Sequence, residues 1–410
     1  MAKALMIGGP ENGAVLGSGS EVNVFGWSDH TTTEANAQAS CTEGATFSGL
    51  RTRVISGNSG TASFRFRDAG ANGQQNAQVT GTGVAEDATN TDTLSAGDLF
   101  NIAYTDTGSG SGLAWVTCNI EMASGYGCIH GSGFFVGRVC DAASSTTFFN
   151  ICGVIPADGD ATEVNQAWRT RAYTSWEAFQ VRVTANARTN DSVFKNRINL
   201  ADGTGLITFG AGITGLIEDT AIGDAIADTD ELDASLTLLT GVEDLTVIFI
   251  AGTLKSTNIK QDVFMFHGAA RAASATAHYA QIGGYCNNIT VRSEAEARIK
   301  IGYAGTASNL RCYLSANTYG GAGTLKLMQN GSAVITLTLG AGGGAAWYEN
   351  TSDSVTFDED DEFSYEFDEG TSGSITIQMV GMTLAPTVAA AGGVGHRVIG
   401  GGWGGRVMDG

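Results

Sequence analysis

The chain has 410 residues, with 42 Asp and Glu against 22 Lys and Arg and a formal net charge of −20. That balance supplies no basic surface for neutralising phosphates and excludes nucleic acid as a partner of the body of the protein. With 58 Gly, 3 Pro, a hydrophobic fraction of 42% and 18 Phe, the composition points to folded β structure joined by Gly-rich turns, not to a low-complexity linker.

Taken in order, a first module opens on the apolar run 4–7, closed by Gly8 and Gly9. The second and third modules open on 134–137 and 263–268, each ended by glycine, which adopts turn conformations closed to other residues. A second apolar landmark follows at 22–26, 148–153 and 279–284. The third is a longer strand at 50–54, 179–183 and 310–314, after which small polar residues such as those of 56–60 and 317–321 read as turns. Alternating strands come next at 62–67, 198–200 and 325–329, the last followed by the hairpin dipeptide Asn330-Gly331 and a strand at 334–339. A period of two expects one buried face and one wet face. Each module closes on a strand, at 115–122, 245–250 and 375–380. Helix is expected only as single turns within 162–171 and 294–298, because Gly, Thr and β-branched residues interrupt any 3.6-residue stripe elsewhere.

The clearest repeat lies just before the closing strand. Leu94, Asp98, Phe100, Ile102 and Tyr104 place an Asp four positions after an apolar residue and then apolar residues at alternate positions. Ile226, Asp230, Leu232, Ala234 and Leu236 repeat that frame, as do Phe357, Asp361, Phe363, Tyr365 and Phe367. The aspartates lie 230 − 98 = 132 and 361 − 230 = 131 positions apart, a domain-sized period rather than a solenoid period of roughly 20–50 residues. The expected organisation is all-β, with three tandem antiparallel β-sandwich repeats at 1–124, 125–256 and 257–386. A Gly-rich tail at 387–410 lies outside the repeat and carries His396, Arg397, Trp403 and Arg406 against a single acid. A basic arm with isolated apolar anchors on an acidic body suits docking across a neighbouring copy.

The residues that carry chemistry are scattered. Five His show no metalloprotease spacing, and the seven Cys are odd in number and mostly do not recur between modules, which argues against a disulfide framework. Cys128, His130 and Cys140 offer zinc's usual ligand types; the alternative is half-buried Cys in sandwich cores. The acidic run 358–362 offers carboxylates for Ca²⁺. What all three modules share there is one Asp before a strand, which can bond its own backbone and fix the turn. Trp27, Trp168, Trp176 and Trp347 either build cores or form a sugar-stacking platform. No nucleophile elbow, P-loop or dinucleotide fingerprint stands in the right context, so no catalytic residue, metal ligand or cofactor is expected. No apolar stretch is long enough for a membrane-spanning helix and residues 1–9 lack a signal-peptide core, so a membrane partner is not expected and assembly in a host cytoplasm is.

The frame at 94–104, with the Gly/Ser hairpin and closing strand at 115–122, resembles the penultimate hairpin of jelly-roll domains. Those domains occur in phage fibres, in capsid decoration proteins, and in trimeric tumour-necrosis-factor-like and C1q-like heads. The resemblance implies jelly-roll-like sandwiches in a non-enzymatic virion structural protein of a tailed bacteriophage, of capsid decoration or tail/fibre type. Its partners would be other virion proteins and further copies of itself. Since jelly rolls often trimerise, three in one chain would either imitate a homotrimer around a pseudo-threefold axis or form a string of beads. The rival readings are a carbohydrate- or receptor-binding adhesin module, with a surface glycan as partner, and a subunit of an extracellular filament exchanging terminal strands.

Overall fold

The computed structural model describes residues 4–8, 14–16, 18–22, 33–57, 59–108, 110–123, 127–140, 146–151, 160–239, 243–257, 260–272, 277–285, 293–368 and 370–387. In the first module β1 (Ala4–Gly8), β2 (Ala14–Leu16), β3 (Ser20–Val22), the single helical turn α1 (Glu34–Ala37), β4 (Ala39–Ser40), β5 (Ala45–Ser56), β6 (Thr61–Asp68), β7 (Ala71–Thr80), β8 (Gly83–Leu94), β9 (Leu99–Asp106) and β10 (Ser111–Met122) follow in order. One sheet runs β1-β10-β5-β8 with β2 also on β10, and the facing sheet runs β3-β9-β6-β7 with β4 on β9. Neighbouring strands are antiparallel, and the first and last strands lie side by side, as jelly-roll winding requires.

The second module contributes β11 (Gly127–Cys140), β12 (Thr146–Phe149), β13 (Trp168–Arg169), β14 (Ser175–Asn186), β15 (Ser192–Ile198), β16 (Ala201–Phe209), β17 (Gly215–Asp219), β18 (Asp224–Ala225), β19 (Glu231–Leu238) and β20 (Leu245–Lys255). Its sheets run β11-β20-β14-β17, with β18 on β14, and β12-β19-β15-β16, with β13 on β19. The third contributes β21 (Gln261–Ala272), β22 (His278–Ala280), β23 (Gly284–Tyr285), the turn α2 (Glu294–Ala297), β24 (Ile299–Lys300), β25 (Gly305–Asn317), β26 (Gly323–Gln329), β27 (Ser332–Leu339), β28 (Ala346–Phe357), β29 (Glu362–Asp368) and β30 (Ser374–Pro386). Its sheets run β23-β21-β30-β25-β28 and β22-β29-β26-β27, with β24 on β29. The strand order is thus shared by all three, with β23, parallel to β21, added at the edge of the third.

Alternation decides which side chains fill each sandwich. On β6, Ala62, Phe64 and Phe66 are buried while Ser63, Arg65 and Arg67 face outward. Phe47 from the opposite sheet meets Phe66 and Phe100, each with ring centroids 4.9 Å away. Burying each such ring contributes about 2–3 kcal/mol. On β5 the alternation breaks, and Gly49, Leu50, Arg51 and Thr52 are buried in succession. A strand buried on both faces needs a second cover besides its own sandwich.

Four sequence expectations need correction. The opening strands of the second and third modules begin at Gly127 and Gln261, ahead of the apolar runs at 134 and 263. Residues 198–200 are not a strand: β15 ends at Ile198, and Asn199 and Leu200 form the turn into β16 with φ of 52° and 63°. Only Glu163–Asn165 of 162–171 is helical, as a 3₁₀ turn, and Trp168–Arg169 is strand. Its counterpart α1 went unread because EANA lacks the capping box that Ser293 and Glu296 give α2.

Candidate functional site

The residues that do more than fill a core lie where one module meets the next. After each helical turn, a two-residue strand (β4, β13 or β24) runs into a segment that leaves its own sandwich. The three segments are equivalent in register: the N–H groups of Cys41, Thr170 and Ile301 donate to the carbonyls of Asp98, Asp230 and Asp361 at 2.8, 2.9 and 2.9 Å. Those aspartates are the repeated landmark of the sequence. The Oδ2 of each accepts from a backbone N–H three residues earlier, Ser95, Ala227 or Asp358, at 2.7, 2.7 and 2.8 Å, which pins the turn. Burial pushes the Asp361 carboxyl up, but hydrogen bonds from Asn330, the Asp358 N–H and Gln329 hold it below its ordinary range. The aspartates therefore act one step back from the interface, by fixing the loop that carries each docking segment.

The first segment lies on the second module. Ser40 N–H donates to Gln180 Oε1 at 3.0 Å and its carbonyl accepts from Gln180 Nε2 at 3.1 Å. Arg182 Nε donates to the Gln38 carbonyl at 3.1 Å, the Thr42 and Thr253 hydroxyls meet at 2.6 Å, and Lys255 pairs with Glu43 at 3.1 Å. The second segment lies on the third module, where Arg311 Nε donates to the Arg169 carbonyl at 2.9 Å. Asp262 Oδ2 accepts from the Thr170 hydroxyl and from the N–H groups of Arg171 and Ala172 at 2.8, 2.7 and 3.1 Å. Glu349 pairs with both Arg169 and Arg171. The third segment returns to the first module. Trp115 Nε1 donates to the Arg298 carbonyl at 2.9 Å, Asn119 Nδ2 to the Gly302 carbonyl at 3.5 Å, and Lys300 pairs with Glu86 at 3.4 Å. Gly302 lies against the Arg51 guanidinium so closely that a Cβ would collide with it. First on second, second on third and third on first, the modules close a ring.

Apolar packing follows the same circuit. Trp115, Phe249 and Met379 stand at one register position, opposite Arg53, Arg182 and Tyr313. They pack into the cores of the third, first and second modules respectively. Leu5 joins the third core and Ile129 the first in the same way.

One strand position carries much of the polar contact. Arg51, Gln180 and Arg311 are equivalent, lying opposite Glu86, Glu218 and Glu349, and all three are buried. Arg311 pairs with Asp262 at 2.7 Å, with both side chains 0% exposed. Asp262 Oδ1 also accepts from the Thr383 hydroxyl at 2.7 Å, and the guanidinium lies 4.6 Å from the Phe264 ring centroid. The positions equivalent to Asp262, opposite Asn119 and Thr253, hold Leu5 and Ile129. Asp262 N–H donates to the Tyr173 oxygen at 3.3 Å, and the same hydroxyl shares a second hydrogen bond, of 2.5 Å, with His130 Nε2. Burial lowers the His130 pKa to about 4 against the opposing pull of Asp262, leaving the ring neutral near pH 7.

The remaining candidates are not gathered into a site. His130 is spent on Tyr173, and Cys128 Sγ accepts from Gln261 Nε2 at 3.3 Å. Among the described residues no group of three His, Cys, Asp or Glu side chains is arranged to hold a metal ion. Trp168 and Trp176 are fully buried, Trp347 lies under Arg169, and Trp27 falls outside the described residues. His396, Arg397, Trp403 and Arg406 also lie outside them. Sequence reasoning missed the docking segments and Asp262, Gln180 and Arg311. The available signal was a polar residue inside each strand of the third landmark, at 51, 180 and 311.

No protein-family model matches the chain, and no curated protein matches it. Among solved structures it is similar to an isomalto-dextranase of Arthrobacter globiformis T6, at 11% identity and a TM-score of 0.23, over 58% of this chain and 39% of that one. The chain thus spans about two fifths of that enzyme's length. It is also similar to a chain of Sulfolobus Turreted Icosahedral Virus, at 14% identity and a TM-score of 0.17, over 86% and 82% of the two chains. A chain of the T13 IBDV viral particle matches at 9% identity and a TM-score of 0.18, over 63% and 69%. With TM-scores this low, function has to be argued from the geometry above.

Proposed function

We propose that this chain is a non-enzymatic structural protein of a virion, assembled in the host cytoplasm, that works as a single-chain pseudo-trimer. The observation that carries this reading is ring closure: three jelly-roll sandwiches dock head to tail through equivalent segments, and the third returns to the first. A closed ring has used its mutual docking surfaces and presents outward a unit with approximate threefold symmetry, suited to a threefold place in a shell. We place it as a capsid decoration or tail/fibre protein of a tailed phage, with other virion proteins and further copies of itself as partners. The tail 388–410 would serve as a docking arm.

The test is particle incorporation. Full-length chain should be found by mass spectrometry in gradient-purified particles of the encoding virus, and its absence there would sink the reading. Deleting 388–410 should leave the mass in dilute solution, by light scattering, close to that of one chain, while abolishing incorporation; normal incorporation of the truncated chain would refute the arm's role.

A further inference from the structure

The three modules share one hairpin, and in the second it is built against its own backbone preference. Between β6 and β7 the turn residues are Ala69 and Gly70, with φ of 45° and 87°; between β26 and β27 they are Asn330 and Gly331, at 51° and 86°. The matching pair between β15 and β16 is Asn199 and Leu200, at 52° and 63°. Glycine suits the second position, whereas a leucine there strains the left-handed backbone. The turn is nevertheless held firmly, with Arg197 Nη2 donating to the Leu200 carbonyl at 2.5 Å and Asn199 Nδ2 to Asp230 at 2.7 Å. The leucine side chain gains no burial in return: it is 47% exposed. A strained residue at an exposed tip calls for a reason outside the fold.

Leu200 is not alone. Of the five large apolar side chains that stand exposed among the described residues, Leu200, Leu206, Ile213 and Leu239 are all in the second module. Leu206 projects from β16 opposite Lys195, where the equivalent positions of the other modules, opposite Arg65 and Lys326, hold Asn76 and Thr336. Leu200, Leu206 and Ile213 therefore mark the edge strand β16 at its start, along its length and just beyond its end. That edge does not invite strand addition. The N–H groups of Thr204, Gly205 and Leu206 already donate to Asp224, Asn196 and Asp219 at 2.8, 2.8 and 3.0 Å. What it offers is apolar side chains in an acidic setting. Residues 187–244 hold eleven Asp and Glu, all but Asp233 outside the core, against Arg188, Lys195 and Arg197. Those three are already engaged, with the Leu239 and Glu243 carbonyls, Asp202, and Asp202 with Glu163.

One segment of the chain has the complementary chemistry. Residues 388–410 carry Arg397 and Arg406 against Asp409, with Val398, Ile399, Trp403, Val407 and Met408 spaced among glycines. We propose that the strip of Leu200, Leu206 and Ile213 is the acceptor for this arm of a neighbouring copy, with arginines over the acidic surround and apolar anchors against the strip. This rests on the arm's assembly role proposed above and adds where it lands. Because only one module in three carries the strip, each chain offers one acceptor, which gives an approximately threefold unit a direction.

The test uses the full chain with a benzophenone amino acid at position 403, as a mixture of isotope-labelled and unlabelled copies. Irradiation, digestion and mass spectrometry read where the cross-link forms and whether it joins two copies. Links between copies within 198–215 are expected, and Leu200→Gly should reduce their yield about tenfold, the effect of losing one well-packed apolar anchor. That variant places the glycine of the other two hairpins in the same turn, so a thermal melt of the same sample should show an intact fold. Links that fall elsewhere or stay within one chain, an absence of links, or a yield unchanged in the variant would each overturn the proposal. Since the readout uses purified chain, absence of the protein from virions would defeat the functional reading without touching this contact.

Discussion

The junction between the first and second modules and the junction between the second and third fill the same strand position with opposite chemistry. At the first, Gln180 offers a neutral amide that both donates to and accepts from the Ser40 backbone. At the second, Arg311 brings a charge into a fully buried place, and Asp262 answers it from a position that is Leu5 or Ile129 elsewhere in the ring. Asp262 is also satisfied by Thr170, Thr383 and two backbone N–H groups. The docking geometry therefore does not require an ion pair: a neutral amide and a buried charge pair both serve at the same strand position.

The largest effect should come from leaving half of the pair behind. Asp262→Ala strands the Arg311 guanidinium and should cost about 3–5 kcal/mol in urea unfolding. Converting the junction to the pattern of the other one, with Asp262→Ile and Arg311→Gln together as in Ile129 and Gln180, should recover most of that loss. If the double variant is as unstable as the single one, the two junctions are not interchangeable. Gln180→Ala is expected to cost less, about 1–3 kcal/mol, because it frees two buried backbone groups but no charge. A loss equal to that of Asp262→Ala would erase the distinction between them.

The mildest substitution contrasts two buried carboxyls. Asp233 is 0% exposed like Asp262, yet neither of its oxygens has a hydrogen-bond partner. Its equivalents, opposite Arg67 and Met328, are the neutral Asn101 and Ser364. Burial first, and then the charge of Glu163, hold the Asp233 pKa well above its ordinary value, while Arg197 pulls the other way. An acid whose folded pKa is raised is stabilising in its neutral form below the unfolded pKa, and that contribution is lost as pH rises through the raised value. Asp233→Asn should therefore melt higher than the parent at pH 8, with the gap shrinking toward pH 4. A gap that widens in acid would show Asp233 to be charged in the folded protein.

Much of a single module was legible without coordinates. The spacing of Asp98, Asp230 and Asp361 marked three turns that share one hydrogen bond from backbone N–H to carboxylate, since an Asp bonding its own loop is a local event. Period two on 62–67 separated Phe64 and Phe66 from Arg65 and Arg67 as the pleat dictates. Leu200 misled because an apolar residue two positions after Ile198 reads as strand, while the positive φ that makes it a turn is favoured by glycine in the other two modules. The site itself was less visible. Asp262 stands within an apolar opening strand and Arg311 in the middle of a central one, and nothing local says that they meet Arg169, Thr170 and each other.

By itself, then, the sequence determined the β class and the aspartate turns, because each is written in neighbours a few residues apart. Only the tertiary structure decided between a string of beads and a ring. Ring closure depends on pairs such as Trp115 with Arg298 and Asn119 with Gly302, each separated by 183 positions. Whether such pairs meet follows from how three finished sandwiches cover one another's doubly buried strands, which no periodicity within one module encodes.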